Sequence, residues 1–412
     1  MPFPHGLRAL NHREYRRFFV AQLVALVGSW MQTVAQSWLV LQLTDSPFRL
    51  GLIGTLQFAP VLLFSIVSGA LADRVPKRRV LVITQTVLAC QALTLAALVV
   101  AGHVRYGHVA VLAVVYGLAN ALDLPTRQSF VADLVGRADV VNAVALNSAA
   151  FNAARIVGPA VGGILIGVVG LAPAFVLNGL GFLVVIAALL GLRADGGPGP
   201  ESRGAMGEAI LTGLRYARRT PRIVLALALL FVVSLCVFNF TIWVPLLARQ
   251  VLRLGPEGFG FLMAAVGVGS IAGALTLGML GEEPPLPLLF GAASVALAGL
   301  LALGLVRHVW TAVPCLLVTG YFGVVLVAGC NTTMQLTAPD ALRGRLMSLY
   351  TLVYGGVFPF GAFLVGSISQ GWGVSTAFLC AGIFGLLALA LVAAWWRARA
   401  AGSPASDARG IG

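Results

Sequence analysis

Twelve apolar stretches constrain this chain more than any other feature. Each is about the 20 residues that a helix needs to cross a hydrocarbon core. They run Phe18–Leu43, Leu50–Leu71, Val80–Ala101, Val109–Val131, Ala143–Val169 and Ala172–Leu192. After a polar break come Ile223–Ala248, Phe259–Leu280, Leu286–Val306, Trp310–Leu336, Leu346–Ile368 and Ala377–Trp396. Lipid offers no partner for a backbone N–H or C=O, so such stretches must bond internally and are predicted to be helices. With 59% hydrophobic and 10% charged residues, the chain has too few charges for a soluble domain, where about a quarter would be expected.

The net charge of +13 would suit a nucleic-acid binder. Its placement argues otherwise, because the basic residues cluster in short connections between apolar runs. With the N-terminus placed inside and the loops sorted alternately, 21 of the 27 Lys and Arg fall inside, 5 fall outside, and Arg155 is left within a span. That bias puts both termini in the cytoplasm and the chain in an inner (plasma) membrane. Met1 to Arg17 is basic and lacks a small-residue cleavage site, so it reads as a tail, not a signal peptide. Cys90, Cys236, Cys315, Cys330 and Cys380 are scattered through apolar runs without a C-x-x-C spacing. They read as packing residues, with no metal or disulfide site and no cofactor implied.

The break from Arg193 to Arg222 holds Gly-Gly-Pro-Gly-Pro and a basic amphipathic piece, Glu208 to Arg219. The expected organisation is therefore a tail (1–17), six helices (18–192), a central cytoplasmic loop (193–222), six more helices (223–396) and a disordered tail (397–412). The halves repeat faintly. Gln128 and Asp133 recur 207 residues later as Gln335 and Asp340, and Gly51, Gly69 and Asp73 recur after 209 as Gly260, Gly278 and Glu282. Two similar six-helix halves give a parallel repeat. The second copy keeps the acid and has lost the bases, so the halves cannot make identical gate contacts.

Between the second and third runs stands Gly69-Ala70-Leu71-Ala72-Asp73-Arg74-Val75-Pro76-Lys77-Arg78-Arg79. Gly69 lets another backbone approach closely. Asp73 stands at a membrane edge, where a carboxylate can meet a helix N-terminus or an arginine. Arg74, Lys77, Arg78 and Arg79 hold the loop inside. The stretch resembles the signature loop between helices 2 and 3 of the major facilitator superfamily, which usually has Gly where this chain has Pro76. The resemblance implies an all-α fold of twelve transmembrane helices in two six-helix pseudo-symmetric bundles. It also gives Gly69, Asp73, Arg74, Lys77 and Arg78 a gating role.

The fifth run carries Arg155-Ile156-Val157-Gly158-Pro159-Ala160-Val161-Gly162-Gly163. Pro159 removes a backbone donor, and Gly158, Gly162 and Gly163 allow a neighbour to pack close. The expected neighbour is the eighth run, with Gly267, Gly269 and Gly273. Gly-Pro-x-x-Gly-Gly resembles the fifth-helix motif of superfamily members that export by antiport; the bland reading is a kinked packing face without directional meaning. Asp123-Leu124-Pro125-Thr126-Arg127-Gln128 and Asn142-Ala143-Val144-Ala145-Leu146-Asn147-Ser148 are similar to the drug and siderophore exporter subgroup that contains the bacterial enterobactin exporter.

Charges within the spans are few. Arg155 should face a wet cavity or a partner, since an arginine there costs about 2.5–3.5 kcal/mol on insertion scales. Either cargo contact or interhelical bonding would place it so. Asp123 either titrates during transport or ties the fourth helix to the basic loop at Arg78 and Arg79. Ser29, Thr33 and Gln36 share a helical stripe. With Gln32, Asn152, Asn239, Trp243, Asn331, Thr332, Tyr350, Tyr354 and Phe358 they would line a mostly neutral, aromatic cavity, although each alone could serve packing. No G-x-x-x-x-G-K-[ST] loop for an ATP pump appears. All five histidines fall in tails or outer loops, against an intramembrane enzyme. The reading is a monomeric secondary transporter, a proton-coupled antiporter exporting amphipathic or aromatic small molecules. The alternative is an uptake symporter or facilitator for a small metabolite.

Overall fold

The computed structural model of the protein describes residues 5–72, 75–195, 206–280 and 283–401. Among these, twelve helices are long and apolar enough to span a bilayer. The first six are α1 (Arg13–Thr44), α2 (Pro47–Ala72), α3 (Lys77–Val100), α4 (Tyr106–Gly136), α5 (Ala138–Val169) and α6 (Ala172–Leu190). The second six are α7 (Pro221–Val251), α8 (Pro256–Leu280), α9 (Leu286–Leu303), α10 (Val309–Thr337), α11 (Arg345–Trp372) and α12 (Val374–Ala401). Alternation gives two faces: a terminal face with the N-terminus and the α2–α3, α4–α5 and α6–α7 connections, and a distal face with the α1–α2 and α7–α8 turns.

Three breaks interrupt this regularity where the sequence predicts continuous helices or longer loops. α4 and α5 form one rod broken at Gly136, whose φ of +70° suits a residue without a side chain. α7 divides into Pro221–Cys236 and Phe240–Leu246, followed by a π turn at Leu247–Val251. α11 is preceded by helix from Asp340 and changes direction at Val357, between Asp340–Gly356 and Phe358–Trp372. The ends also differ from expectation. Residues 5–11 form a short 3-10 turn docked on α5, where Arg8 and His12 both reach Asp139, at 2.7 and 2.8 Å. Arg397 to Ala401 continue α12 and are not a disordered tail. The amphipathic piece is a helix, Met206–Arg219, whose Gly213 lies against Arg345.

Each half buries its own aromatic core. Phe18 meets Phe130 edge-on at 5.7 Å in the first, and Trp243 stacks on Phe378 at 4.2 Å in the second. The outer surface stays apolar: Val168 is 75% and Leu391 73% exposed. In water such a belt would drive association; against acyl chains it needs no cover.

The halves meet along two glycine seams at the distal face. Gly51 of α2 lies on Gly366 of α11, where an added Cβ would come within 2.9 Å of the Gly366 Cα. Gly163 of α5 lies on Gly260 of α8, backbone against backbone. Polar tips close over these seams. Arg249 Nε donates to Asp45 Oδ1 at 2.8 Å, Gln250 Nε2 to the Asp45 carbonyl at 3.0 Å, and Ser46 Oγ to Gln370 Oε1 at 2.6 Å. Asp45 makes the α1–α2 turn with φ of 46°, a left-handed conformation that Asp tolerates better than most residues. Arg249 also lies over the Trp38 ring, which stacks on Phe259.

Candidate functional site

Below the seams, Arg155 joins the two halves with a charged side chain. Arg155, half-buried on α5, donates from Nη1 to the Tyr354 hydroxyl of α11 at 2.6 Å. Its guanidinium sits 5.5 Å from the ring centre of Phe238, at the break in α7. Tyr354 meets Phe238 edge-on at 5.5 Å and stacks with Tyr350 at 6.0 Å. Nearby in the chain, Phe358 meets Phe58 of α2 at 4.4 Å. A break in α7 and a bend in α11 thus bring aromatic faces from the second half to the one cation that α5 places between the halves. None of the ion pairs among the described residues includes Arg155.

Gln36 also sits at the interface. Its Nε2 donates to Gln57 Oε1 at 3.1 Å, and the pair lines a small void with Thr241 and Phe358. Thr33 lines the same void, and the remaining expected cavity residues are divided among several places. Gln32 is buried inside the first half, bonded to Gln91 Oε1 at 2.9 Å and receiving Asn178 Nδ2 at 2.8 Å. Both ends of its amide are satisfied there, which removes it from the central opening. Trp243 is likewise core: stacked on Phe378, it donates from Nε1 to the Cys236 carbonyl at 2.9 Å, which closes the break in α7. Asn239 is buried beside Gly361 and bonds back to the Leu235 carbonyl at 3.1 Å. Asn331 accepts from Gln335 on its own helix and also lies within side-chain hydrogen-bonding reach of Tyr350, beside the junction. Ser29 and Thr33 bond to carbonyls one turn earlier. Asn152 lies on α5, and its side chain is outside the described atoms.

Asp123 is fully buried, but its partners are not those expected. It pairs with Arg127 one turn along α4 and accepts from Thr84 Oγ1 and Gln85 Nε2 of α3, each at 2.8 Å. Arg78 reaches Asp195 at 2.9 Å and the Leu190 carbonyl at 3.1 Å instead. Lys77, buried at the start of α3, reaches Asp133 of α4 at 2.6 Å. The described members of the α2–α3 loop therefore bind within the first half. Gly69 lies on the last turns of α2, while Asp73 and Arg74 lie outside the described residues. In the second half the repeat's acid, Glu282, lies outside the described residues; its neighbour Glu283 is 3.7 Å from Arg222.

The fifth-helix glycines divide between two neighbours. Gly158 and Gly162 pack on α1, against Trp30 and Met31, whereas Gly163 meets α8 at Gly260 and, further along, Gly167 meets it at Glu257. Two of the glycines expected to face α5 do not: Gly269 and Gly273 lie against Leu317 and Tyr321 of α10. Pro159 is buried inside the helix. Phe238, Asp45, Arg249 and Gln57 are site residues that sequence reasoning misses. The Phe-Asn-Phe run at 238–240 beside a break, and polar residues in the α1–α2 and α7–α8 turns, are the available signals.

This arrangement, two helical halves meeting around a central polar-aromatic junction, is that of a membrane transporter of the major facilitator type. Solved structures agree on the fold. A bacterial homologue of the human lysosomal transporter Spinster, inward-facing and unoccupied, superposes with a TM-score of 0.73 at 14% identity, over 92% of this chain and 95% of that one. A point mutant of the nucleoside transporter NupG gives 0.72 at 11% identity over 92% and 99%. The chain belongs to the transmembrane secretion effector family, whose model matches residues 5–409. The multidrug efflux pump Tap of Mycolicibacterium fortuitum is 27% identical over 377 residues, 87% of this chain and 90% of that protein. The staphyloferrin A transporter of Staphylococcus aureus is 24% identical, covering 89% and 92%. The enterobactin exporter EntS of Shigella boydii is 26% identical, covering 87% and 86%.

Proposed function

We propose that the protein is a secondary active exporter of amphipathic or aromatic small molecules, coupled to proton entry and working by alternating access. The observation that carries the reading is the Arg155–Tyr354 contact, a polar link between halves that are otherwise joined at this depth by aromatic rings. Relatives named as a drug efflux pump and as siderophore transporters support export of such cargo. The 21-to-5 charge split supports cytoplasmic termini in a cell inner membrane, so the sealed distal face is the outer one. Cargo would enter from the cytoplasm, contact Arg155 and the rings, and leave when the seams part. Asp123 with Arg127 is the candidate proton site, and Asp73 with Arg74 the candidate inner latch. The protein works as a monomer in the lipid bilayer, without cofactor, nucleic acid or enzymatic chemistry.

The test is transport in inside-out vesicles. With a pH gradient that is acid inside, fluorescent amphipathic dyes should accumulate, and an uncoupler should abolish the accumulation. Accumulation only with the opposite gradient would replace the exporter with an uptake symporter, and indifference to the gradient would replace it with a facilitator.

A further inference from the structure

We infer that the cargo bound at Arg155 is an aromatic anion, and that cationic amphiphiles are disfavoured there. The inference rests on the transporter reading above and adds the sign of the cargo's charge. Arg155 reaches across the junction to Tyr354 and Phe238, so it faces between the halves and not the lipid. It is always protonated, and a charge at that depth is costly unless something offsets it. Its described partners are a neutral hydroxyl and an aromatic face. A phenol and a benzene ring orient a cation, but neither neutralises it.

Carboxylates are not positioned to do so. Among the described acids, the one deepest in a span of the first half is Asp123, already held by Arg127, Thr84 and Gln85. Asp133 is held by Lys77 and Asp139 by Arg8 and His12, both at the terminal face. Asp45 is held by Arg249 at the distal face. Each of these groups is balanced inside its own pair. Among the described residues, Arg155 is a cation deep within a span that no carboxylate pairs. Among the described residues, one of its five N–H donors is engaged.

The surroundings set the rest of the ligand. A guanidinium offers a planar fork that fits two oxygens of a carboxylate, sulfonate or deprotonated catechol. Tyr354 presents its ring between Phe238, edge-on at 5.5 Å, and Tyr350, stacked at 6.0 Å. A flat ring carrying the anionic group satisfies both features at once: its oxygens meet Arg155 and its ring joins the aromatic faces. A cationic amphiphile of the same shape gains the ring contacts but meets a like charge in a medium that screens poorly.

Two xanthene dyes of similar shape and opposite charge test this: 5-carboxyfluorescein, an anion, and rhodamine 123, a cation. Binding to the purified full-length protein in lipid nanodiscs is read by fluorescence anisotropy, and transport of both dyes is followed in inside-out vesicles. Wild type should bind carboxyfluorescein about 10- to 100-fold more tightly than rhodamine 123, the range expected for charge-assisted hydrogen bonds. Arg155→Gln should abolish the preference, and Arg155→Lys should keep part of it. Tyr354→Phe, which frees the guanidinium from its neutral partner, should retain it. Because the wild-type ratio is read first, misfolding of a variant does not decide the matter. Equal binding, or tighter binding of rhodamine 123, overturns the inference; if either dye is still pumped, the exporter reading stands. If neither dye is bound or moved, both fall.

Discussion

The Gly163–Gly260 crossing allows a prediction with a calculable size. In Gly163→Ala the added Cβ would overlap the Gly260 Cα and stand 2.9 Å from its N and 3.2 Å from its C. All three are backbone atoms, so no side chain can rotate away. Carbon atoms prefer about 3.5–4.0 Å, which means that α5 and α8 must part by about 1.5–2 Å. Overpacking of this kind costs about 1–3 kcal/mol, while alanine returns up to about 1 kcal/mol of helix propensity in every conformation. Only the crossing depends on whether the distal face is closed. The propensity gain therefore cancels from the ratio of closed to open molecules, which the overpacking cost of about 1–3 kcal/mol changes by about 5- to 150-fold. Spin labels at Leu43 and Trp372, exposed at the distal ends of α1 and α11 in opposite halves, would report it in a background without the native cysteines. The expected result is population moving from a short to a longer distance. Gly107→Ala, whose Cβ would meet nothing within 4 Å, is the control. Identical distance distributions in the two variants, both folded, would refute the idea that this crossing sets the closure of the distal face.

Three further outcomes follow from the same contacts. Asp45→Asn removes an ion pair between side chains that are 67% and 31% exposed; such pairs contribute about 0.2–1 kcal/mol, so the same labels should shift less than in Gly163→Ala, and a larger shift would contradict the ranking. Lys77→Met strips the partner from Asp133 and should lower the melting temperature in detergent, with cargo preference unchanged; altered preference at unchanged stability would show that the pair acts in transport. Tags at Gly197 and at the C-terminus should be reached only from the cytoplasm and one between Gly102 and Gly107 only from outside, and any tag on the other side would break the charge argument.

Helix number is legible because bilayer thickness imposes one length on every span, and a run of about 20 apolar residues satisfies it without reference to neighbours. The helix breaks are not legible in the same way. Averaging hydropathy along a run hides a single residue such as Gly136, whose positive φ turns α4 into α5, or Val357 at the bend in α11. The polar residues show a second limit. A glutamine inside an apolar run is predicted to face other helices, and Gln32 and Gln36 both do. Which helices they face depends on rotation by a fraction of a turn, and that sends Gln32 to Gln91 within one half and Gln36 to the boundary with the other. The glycines behave alike: each marks a close approach, but the identity of the approaching helix is a property of the assembled bundle.

Asp123 and Arg155 mark where a charge argument succeeds and where it needs geometry. Both stand out because a charge inside lipid must be offset. For Asp123 the nearest answer is already in the sequence, since Arg127 stands four residues on and shares its helix face. Loop sorting counts Arg127 with the following connection, although the expected span Val109–Val131 and the observed α4 both contain it. Counting it as a loop charge hides the pairing. Arg155 has no acid at positions 151, 152, 158 or 159, the neighbours on its own helix face. Its partner has to come from another element, and the structure supplies a tyrosine and a phenylalanine from the opposite half. A cation whose own helix offers no counter-charge, and whose neighbours across the junction are neutral, is left to be balanced by what passes between the halves.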